Sequence, residues 1–290
     1  MKTTMIILAD EGDRLDDALR IRREVFVDEK ALFAGSDLDK RERGALHLVY
    51  YLDEEPAGTV RMSDEGGGRW TGSRLAVLPK YRAAGVGAAL ITAAEAVVAA
   101  RGCTGFDALI REPCVSLFEK QGWEDVGDGG VVAGEPHRSM RSSLPRRRTL
   151  FTVGYQRHTP ESLVEMLREA GVRILIDVRQ RASSRKKGFS KTALQQVLET
   201  AGIEYAHLPR AGSPPDVRKD FIATGDRKVF TSRYLSHIAE VPQVLDEAAS
   251  LLDDGPACLM CLEADPIGCH RLLFADELIK KVPDLVIVHL

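Results

Sequence analysis

The stretch "SRLAVLPKYRAAGVGAALITAAEAV" (73–97) decides how the first half of the chain folds. A leucine-rich strand with one β-branched valine stops at Pro79, and Arg82-x-x-Gly85-x-Gly87 then opens a long alanine-rich helix. Glycine there lets the backbone approach a ligand without interference from a Cβ. The first helical turn offers unpaired N–H groups at the positive end of the dipole, an arrangement suited to a pyrophosphate, and Arg82 adds a charge-assisted donor. The spacing is not the G-x-G-x-x-G of dinucleotide folds, and a tightly packed helix start accounts for the glycines equally well.

Working outward, Asp16–Phe26 reads as a helix and "ALHLVYYLDEEPAGTVRM" as a hairpin turning at Asp53–Pro56. "GFDALI" reads as a strand, Val115–Gln121 as a short helix, and "EDVG" with "HRSMRSSL" as a closing strand pair. With these neighbours, residues 1–144 resemble the GNAT N-acetyltransferase superfamily, whose signature is R/Q-x-x-G-x-G/A after a strand. "LRIRREVFVDEK" is similar to the helical opening of one subgroup and "PHRSM" to its closing strand. The resemblance implies a mixed sheet with helices and acetyl-CoA as cosubstrate. It implies that backbone amides of Arg82, Ala83, Ala84, Gly85, Val86, Gly87 and Ala88 hold the pyrophosphate, and that Ala76 and Val77 pair with the pantetheine arm. Glu24, in the helix expected to face the acceptor groove, and His137, in "EPHRSM", are the candidates for the amine side; a solvated face and a satisfied strand histidine are the plain alternatives. Glu29 and Cys114 are further candidates. Many relatives carry a tyrosine that protonates departing CoA, where this chain has Phe118 in "SLFEKQGW". Phe118 and Trp123 are expected to pack as core.

"RSSLPRRRTL" (141–150) reads as the joint, with residues 145–148 as linker and 149–290 as a second domain. Beyond it, "LFTVGY", "RILIDVR", "EYAHLP", "ACLMCLE" and "LVIVHL" alternate with helical segments, the pattern of a mostly parallel three-layer α/β domain. Thr159 caps a helix with Pro160 at its first position, but Ser162 stands where a capping box has Glu or Gln.

Chemistry gathers in "CLMCLEADPIGCHRLLFADEL" (258–278). Side chains alternate along a strand, so Cys258 and Cys261, three apart, point to opposite faces and do not chelate one metal. Cys261 and Glu263 share a face at the carboxyl end of the strand, where open α/β sheets bind ligands. Cys269, His270 and Arg271 start the next helix, whose dipole favours a thiolate. Three readings stay open: a thiol or anion site, structural packing, and a three-ligand zinc site of two sulfurs and His270. No metal is assigned. Tyr155, Asp177 and Arg179 sit at neighbouring strand ends, and a loop follows with Arg181, Arg185, Lys186, Lys187 and Lys191. Its lack of acids from Val178 through Leu198 suits an anionic ligand, a nucleotide or nucleic acid, although a solvated loop also fits. In order, these blocks are similar to the family called domain of unknown function 488, which implies an α/β domain with this polar cluster and names no reaction.

The totals bound the rest. The half through Leu144 has 19 Lys and Arg against 24 Asp and Glu, and the remainder 21 against 19, so neither half is basic enough to announce nucleic-acid binding by net charge. No apolar run approaches the length of a membrane helix, Glu95 interrupting the nearest one, and "MKTTMIILADEGD" is too short and too quickly acidic for a signal peptide. Five cysteines argue against a disulfide framework, so the expectation is a cytoplasmic, reduced protein with no membrane partner. The function expected is acetyl-CoA-dependent N-acetylation of an unknown amine, small or macromolecular. Two alternatives are an acetyl-CoA-binding sensor without turnover, and an enzyme whose chemistry lies in the C-terminal cysteine cluster.

Overall fold

The computed structural model describes residues 3–9 and 12–290. Met1, Lys2, Asp10 and Glu11, part of the start read above for a signal peptide, lie outside them. The chain forms two compact units, one ending at Arg146 and the other running from Arg147 to His289.

The first unit opens with strand β1 (Thr4–Ala9), which the sequence reading left unassigned. Helix α1 (Gly12–Arg22) continues directly into a π-helical segment, Arg23–Glu29, so the helix expected over Asp16–Phe26 is longer at both ends and changes its winding inside. Strands β2 (Leu46–Leu52) and β3 (Glu55–Gly66) form the expected hairpin. Asp53 and Glu54 at its turn take φ of 50° and 68°, the positive values a two-residue hairpin needs. Three left-handed glycines, Gly66–Gly68, turn the chain again, and β4 (Arg69–Val77) therefore begins four residues before the expected strand. Then come α2 (Val86–Ala100), β5 (Gly105–Arg111), α3 (Val115–Glu119), β6 (Trp123–Val132) and β7 (Glu135–Ser142). The sheet order is β1-β2-β3-β4-β5-β7-β6, with β4 and β5 parallel and every other pair antiparallel. Helix α2 is apolar around most of its circumference because it packs on β2, β3 and β4. Its one acid, Glu95, is buried and accepts a 2.6 Å bond from Ser142 Oγ.

A buried ionic network fastens the segment between the π-helix and β2. Arg22 is fully buried and donates to Asp37 at 2.8 Å and to both oxygens of Glu42 at 3.0 and 2.7 Å. Arg61, on β3, binds Asp39 at 2.8 and 3.0 Å and also reaches Glu42. Arg74, on β4, donates to the Asp37 carbonyl and to Asp39. Three guanidinium groups thus meet three carboxylates. Taking these charges out of water is costly, and only such multiple pairing offsets it.

The second unit contains β8 (Arg148–Gly154), α4 (Pro160–Glu169), β9 (Ile174–Asp177), α5 (Lys191–Thr200), β10 (Glu204–His207), α6 (Pro215–Thr224), α7 (Arg227–Glu240), α8 (Gln243–Ser250), β11 (Ala257–Cys261), α9 (His270–Lys281) and β12 (Leu285–His289). All pairs are parallel, in the order β10-β9-β11-β8-β12. Leu150, Ile174, Ile176, Leu259 and Cys261 face a core with Tyr234, Ile238, Val244 and Phe274 from α7, α8 and α9. Helices α4 and α5 pack on each other, and all five expected strands are present. One local expectation is corrected. Thr159 and Ser162 do form a capping box, Ser162 N–H bonding Thr159 Oγ1 at 3.2 Å and Thr159 N–H bonding Ser162 Oγ at 3.0 Å, because a serine hydroxyl reaches back as a Glu carboxylate would.

Removing one member of the buried network leaves its partners short of charge: without Arg22, Asp37 keeps Arg74 and Glu42 keeps Arg61, but the fully buried donors between them are gone. Arg22→Met should lower the stability of the first unit by about 3–5 kcal/mol. Urea unfolding followed by tryptophan fluorescence reads this unit alone, since both tryptophans, Trp70 and Trp123, are buried in it. Arg23→Met, whose side chain is exposed, should change little. Equal effects of the two substitutions would contradict the network's role.

Candidate functional site

The ladder between β4 and β5 runs only from Arg69–Gly105 to Gly72–Ala108. Beyond it β5 stays with β7 while β4 stays with β3. The parting begins where the β3–β4 register shifts between Thr59 and Arg61 and where Arg74 takes a φ of 55°, a bulge that bends the strand. A cleft of about 520 Å³ opens there, with Phe26, Phe33, Arg74, Arg111, Phe118 and His137 among the residues on its walls.

The predicted cofactor residues line up beside this gap. Ala76 and Val77 pair with Thr59 and Gly58 of β3 along one edge and, among the described residues, have no strand along the other. Arg82, Ala83 and Ala84 lie in a 3-10 turn (Pro79–Ala84), Gly85 follows at φ 75°, and Val86, Gly87 and Ala88 form the first turn of α2. Among the described residues no side chain caps that turn, so its amides are available to a ligand. Arg82 is engaged otherwise than expected: its guanidinium holds Glu29 at 2.8 and 2.5 Å, and its Nε donates to the Val77 carbonyl at 3.2 Å. That pairing lowers the Glu29 pKa and leaves Glu29 bound as a partner of Arg82.

His137 stands on β7 opposite Arg111 of β5 and lines the cleft. Its Nδ1 lies 2.8 Å from the Glu135 carbonyl. A carbonyl only accepts, so Nδ1 carries the proton and Nε2 keeps a lone pair. Glu24 is exposed on the π-helix and is not among the cleft residues, the placement of a solvated face. Cys114 reaches the cleft with its sulfur 4.0 Å from Arg111 Nη2. Phe118 packs edge-on to Trp123 with ring centroids 5.2 Å apart, as expected of core. Sequence reasoning missed Phe26, Phe33, Arg74 and Arg111. Only the alternation along β5 hinted at Arg111, while Phe26 and Phe33 depend on the π-helix and the loop after it.

In the second unit the expected residues assemble in two adjoining groups. Cys261 donates to Glu263 Oε2 at 3.1 Å and lies 3.9 Å from each His270 ring nitrogen. Cys269 caps α9, its sulfur accepting from the Arg271 amide at 3.5 Å. His270 Nε2 donates to the Val178 carbonyl at 2.9 Å. Arg271, fully buried, donates to the carbonyls of Glu263 and Ala264 and to Thr152 Oγ1. The hydrogen bond to Cys269 and then burial hold Cys261 up as a thiol. Burial also disfavours a Cys269 thiolate, but the bond from Cys261 and the charges of His270 and Arg271 outweigh it and lower that pKa. Glu263, against its burial, is held down to about 2 by Arg218, whose guanidinium sits 2.5 Å from Oε1. Arg218, on α6, carried no signal in the sequence. Gln156, Arg218, Phe221, Phe230, Glu263 and His270 border a cavity of about 280 Å³.

In the second group, protein partners occupy the Asp177 and Arg179 side chains. Arg179 donates to Asp177 at 2.8 and 2.6 Å, to Tyr155 Oη at 3.2 Å and to the Phe189 carbonyl at 2.9 Å, while Tyr205 Oη donates to Asp177 at 2.6 Å. Tyr155 is buried and stacks on Phe189 at 4.4 Å. Lys186 donates to the carbonyls of Tyr155 and Gln156 at 3.3 and 2.8 Å, whereas Arg185 is exposed.

Over residues 14–123 the chain matches the acetyltransferase (GNAT) family, and over residues 159–278 the domain of unknown function DUF488. The uncharacterized N-acetyltransferase YjcF of Bacillus subtilis (strain 168) is 34% identical over 137 residues, which span 46% of this chain and 96% of YjcF. The first half of the chain belongs to the GNAT acetyltransferase family. The uncharacterized protein YyaT of the same organism is 25% identical over 49% of this chain and 97% of its own length. Among solved structures, Escherichia coli ElaA is 18% identical, with a TM-score of 0.42, covering 49% of this chain and 100% of ElaA. The protein is an acyltransferase of the GNAT type that carries a DUF488 domain, and the family's chemistry uses an acyl-CoA and an amine acceptor. No helix among the described residues is long and apolar enough to cross a membrane.

His47 of β2, buried beside Glu42 at 3.5 Å, gives the GNAT unit a pH dependence. Burial, then the nearby Arg22 charge, lowers its pKa from 6.5 to about 4. Between these values the unfolded chain binds a proton that the folded unit refuses, so stability falls as pH drops from 6.5 towards 4, by about 3 kcal/mol in all. Urea titrations at pH 7 and pH 5 should show about 2 kcal/mol of this loss, and His47→Gln should remove it. An undiminished slope in the variant would assign the pH dependence to other groups.

Proposed function

We propose that the first unit transfers the acetyl group of acetyl-CoA to a primary amine, with His137 as the base. The observation that carries this reading is the parting of β4 from β5 beyond Gly72 and Ala108, beside the uncapped start of α2. The pantetheine arm adds to the free edge of β4 at Ala76 and Val77, as an extended ligand adds to a sheet. The pyrophosphate rests on the amides from Arg82 to Ala88, and the helix end supplies the attraction because Glu29 already neutralises Arg82. The amine nitrogen attacks the thioester carbonyl carbon, and its surplus proton passes to His137 Nε2. The C–S bond then breaks, and CoA leaves as a thiolate that takes a proton from solvent, Phe118 having no hydroxyl to give. A thiol of ordinary pKa near 8.5 leaves readily enough for this.

The units are taken as domains 1–144 and 149–290, joined by residues 145–148, in a reducing cytoplasm that suits the five free cysteines. For the second domain, an anionic ligand such as a nucleotide or nucleic acid rests on exposed Arg181, Arg185, Lys187 and Lys191, since Arg179 and Lys186 bind protein groups. Salt-dependent binding of polyphosphate, weakened by Arg185→Gln with Lys187→Gln, checks that part.

Calorimetric titration with acetyl-CoA tests the main reading. Gly85→Asp sets a carboxylate where the pyrophosphate would lie, in a left-handed conformation aspartate tolerates and with no atom within 4 Å of the added Cβ. Acetyl-CoA affinity should fall at least about tenfold with the unfolding midpoint nearly kept. With an amine found by screening for released CoA thiol, His137→Gln should lower kcat about 100- to 10,000-fold and leave acetyl-CoA affinity unchanged. A folded wild type that binds no acetyl-CoA overturns the proposal.

A further inference from the structure

We propose that the carboxyl edge of the second unit's sheet holds one zinc ion, bound by the thiolates of Cys261 and Cys269, Nδ1 of His270 and the carboxylate of Glu263. A sulfur of each cysteine and a ring nitrogen of His270 lie within 4.8 Å of one another, all on buried residues. In tetrahedral zinc sites the bonds are about 2.3 Å to sulfur and about 2.0–2.1 Å to nitrogen, which places neighbouring ligand atoms roughly 3.5–3.8 Å apart. Cys261 Sγ is 3.9 Å from Nδ1 and 3.1 Å from Glu263 Oε2, so these two pairs close on an ion with shifts of a few tenths of an ångström, while Glu263, outside the group of three, turns further to complete the site.

The surrounding groups fit ligation. His270 donates from Nε2 to the Val178 carbonyl, which fixes the proton there and turns Nδ1 into the ligating nitrogen. The Arg271 amide donates to Cys269 Sγ, as backbone amides do to metal-bound thiolates. Arg218 takes Glu263 Oε1 and leaves Oε2 directed at Cys261. Two thiolates, a carboxylate and a dication sum to one negative charge, which the guanidinium of Arg218 on Glu263 compensates. Sulfur and imidazole donors select a thiophilic ion over magnesium or calcium. Glu263 and His270 border the 280 Å³ cavity, which supplies a route of entry, and Glu263 is the ligand that a molecule in that cavity would displace. Cys258 stands on the opposite face of β11, three positions from Cys261, and takes no part.

The test uses the full chain, reduced and freed of metal with a chelator, titrated with Co²⁺ and then Zn²⁺. One equivalent of Co²⁺ should give the intense visible bands of a tetrahedral ion and a thiolate-to-cobalt charge-transfer band, both abolished by one equivalent of Zn²⁺. Cys261→Ser and Cys269→Ser should each weaken Co²⁺ binding at least about a hundredfold. Glu263→Gln should keep the charge-transfer band while changing the visible bands, and Cys114→Ser and Cys258→Ala should behave as wild type. A wild type without a saturable cobalt spectrum, or with one lacking the sulfur band, overturns the proposal, and this arm stands even if a serine variant fails to fold by circular dichroism. A spectrum unchanged in folded Cys269→Ser, or a Cys261–Cys269 disulfide in place of metal binding, overturns it equally.

Discussion

Both units are held around their sites by buried guanidinium groups. Arg22 and Arg61 in the first unit and Arg179 and Arg271 in the second are each less than a tenth exposed. An arginine removed from water persists in its charged form and brings donors in a fixed plane, so its position is stable only where several acceptors converge on that plane. Such convergence fixes a loop far more tightly than apolar contact does, since moving any partner leaves a buried charge short of a bond. In the first unit the carboxylate acceptors belong to the segment ahead of β2, and Ser73 Oγ of β4 adds one more to Arg61. In the second they include the carbonyls at the end of β11 and the carboxylate at the end of β9.

This anchoring shapes the cleft of the first unit. A sheet whose central strands part would expose apolar side chains on both lips, among them Ile110 of β5 and Val60 of β3. The segment tied down by Asp37, Asp39 and Glu42 covers one side and brings Leu32 and Phe33 over the opening, and the π-helix adds Phe26. A π-turn packs extra backbone into a helix at a cost, and it recurs where a site needs a side chain that regular winding would point elsewhere. Arg74 belongs to both features. Its left-handed backbone is part of the bulge that separates the strands, and its guanidinium binds Asp37 and Asp39 while lying over the Phe33 ring.

What the sequence revealed was mostly local in origin. The glycines after Pro79, the hairpin (expected to turn over Asp53–Pro56 and turning at Asp53–Glu54) and the five apolar strands of the second half each depend on residues a few positions apart, and all are present. The opposite facing of Cys258 and Cys261 followed from strand period alone. The elements that stayed hidden depend on distant partners. Arg22 meets Asp37 and Glu42 across 15 and 20 residues, Arg61 meets Asp39 across 22, and Arg218 meets Glu263 across 45, with no period linking them. In a linear reading each looks like one more surface charge. Strand β1 was hidden because six residues with an exposed start carry little pattern until β2 pairs with them. Lys186 and Arg179 were legible as charges but not as loop-holding donors, because their acceptors are backbone carbonyls and a close carboxylate.

Phe118 shows how packing and chemistry are exchanged in the GNAT unit. Phe118 is buried edge-on against Trp123, and a hydroxyl buried in such a position without a bond costs about 1–3 kcal/mol. The phenyl ring avoids that cost and gives an edge-on aromatic pair worth about 0.5–1.5 kcal/mol beyond its buried area. The chemistry tolerates the exchange because the two proton transfers are unequal in difficulty. The attacking nitrogen must lose a proton before the new amide is stable, and in the proposed mechanism the His137 imidazole meets that need. The departing sulfur is stable as an anion near neutral pH, so an acid beside it accelerates a step that proceeds without one. An acyltransferase that works as proposed depends more on its base than on its acid, and the Glu135 carbonyl beside His137 Nδ1 then helps to set which ring nitrogen is left to accept the proton.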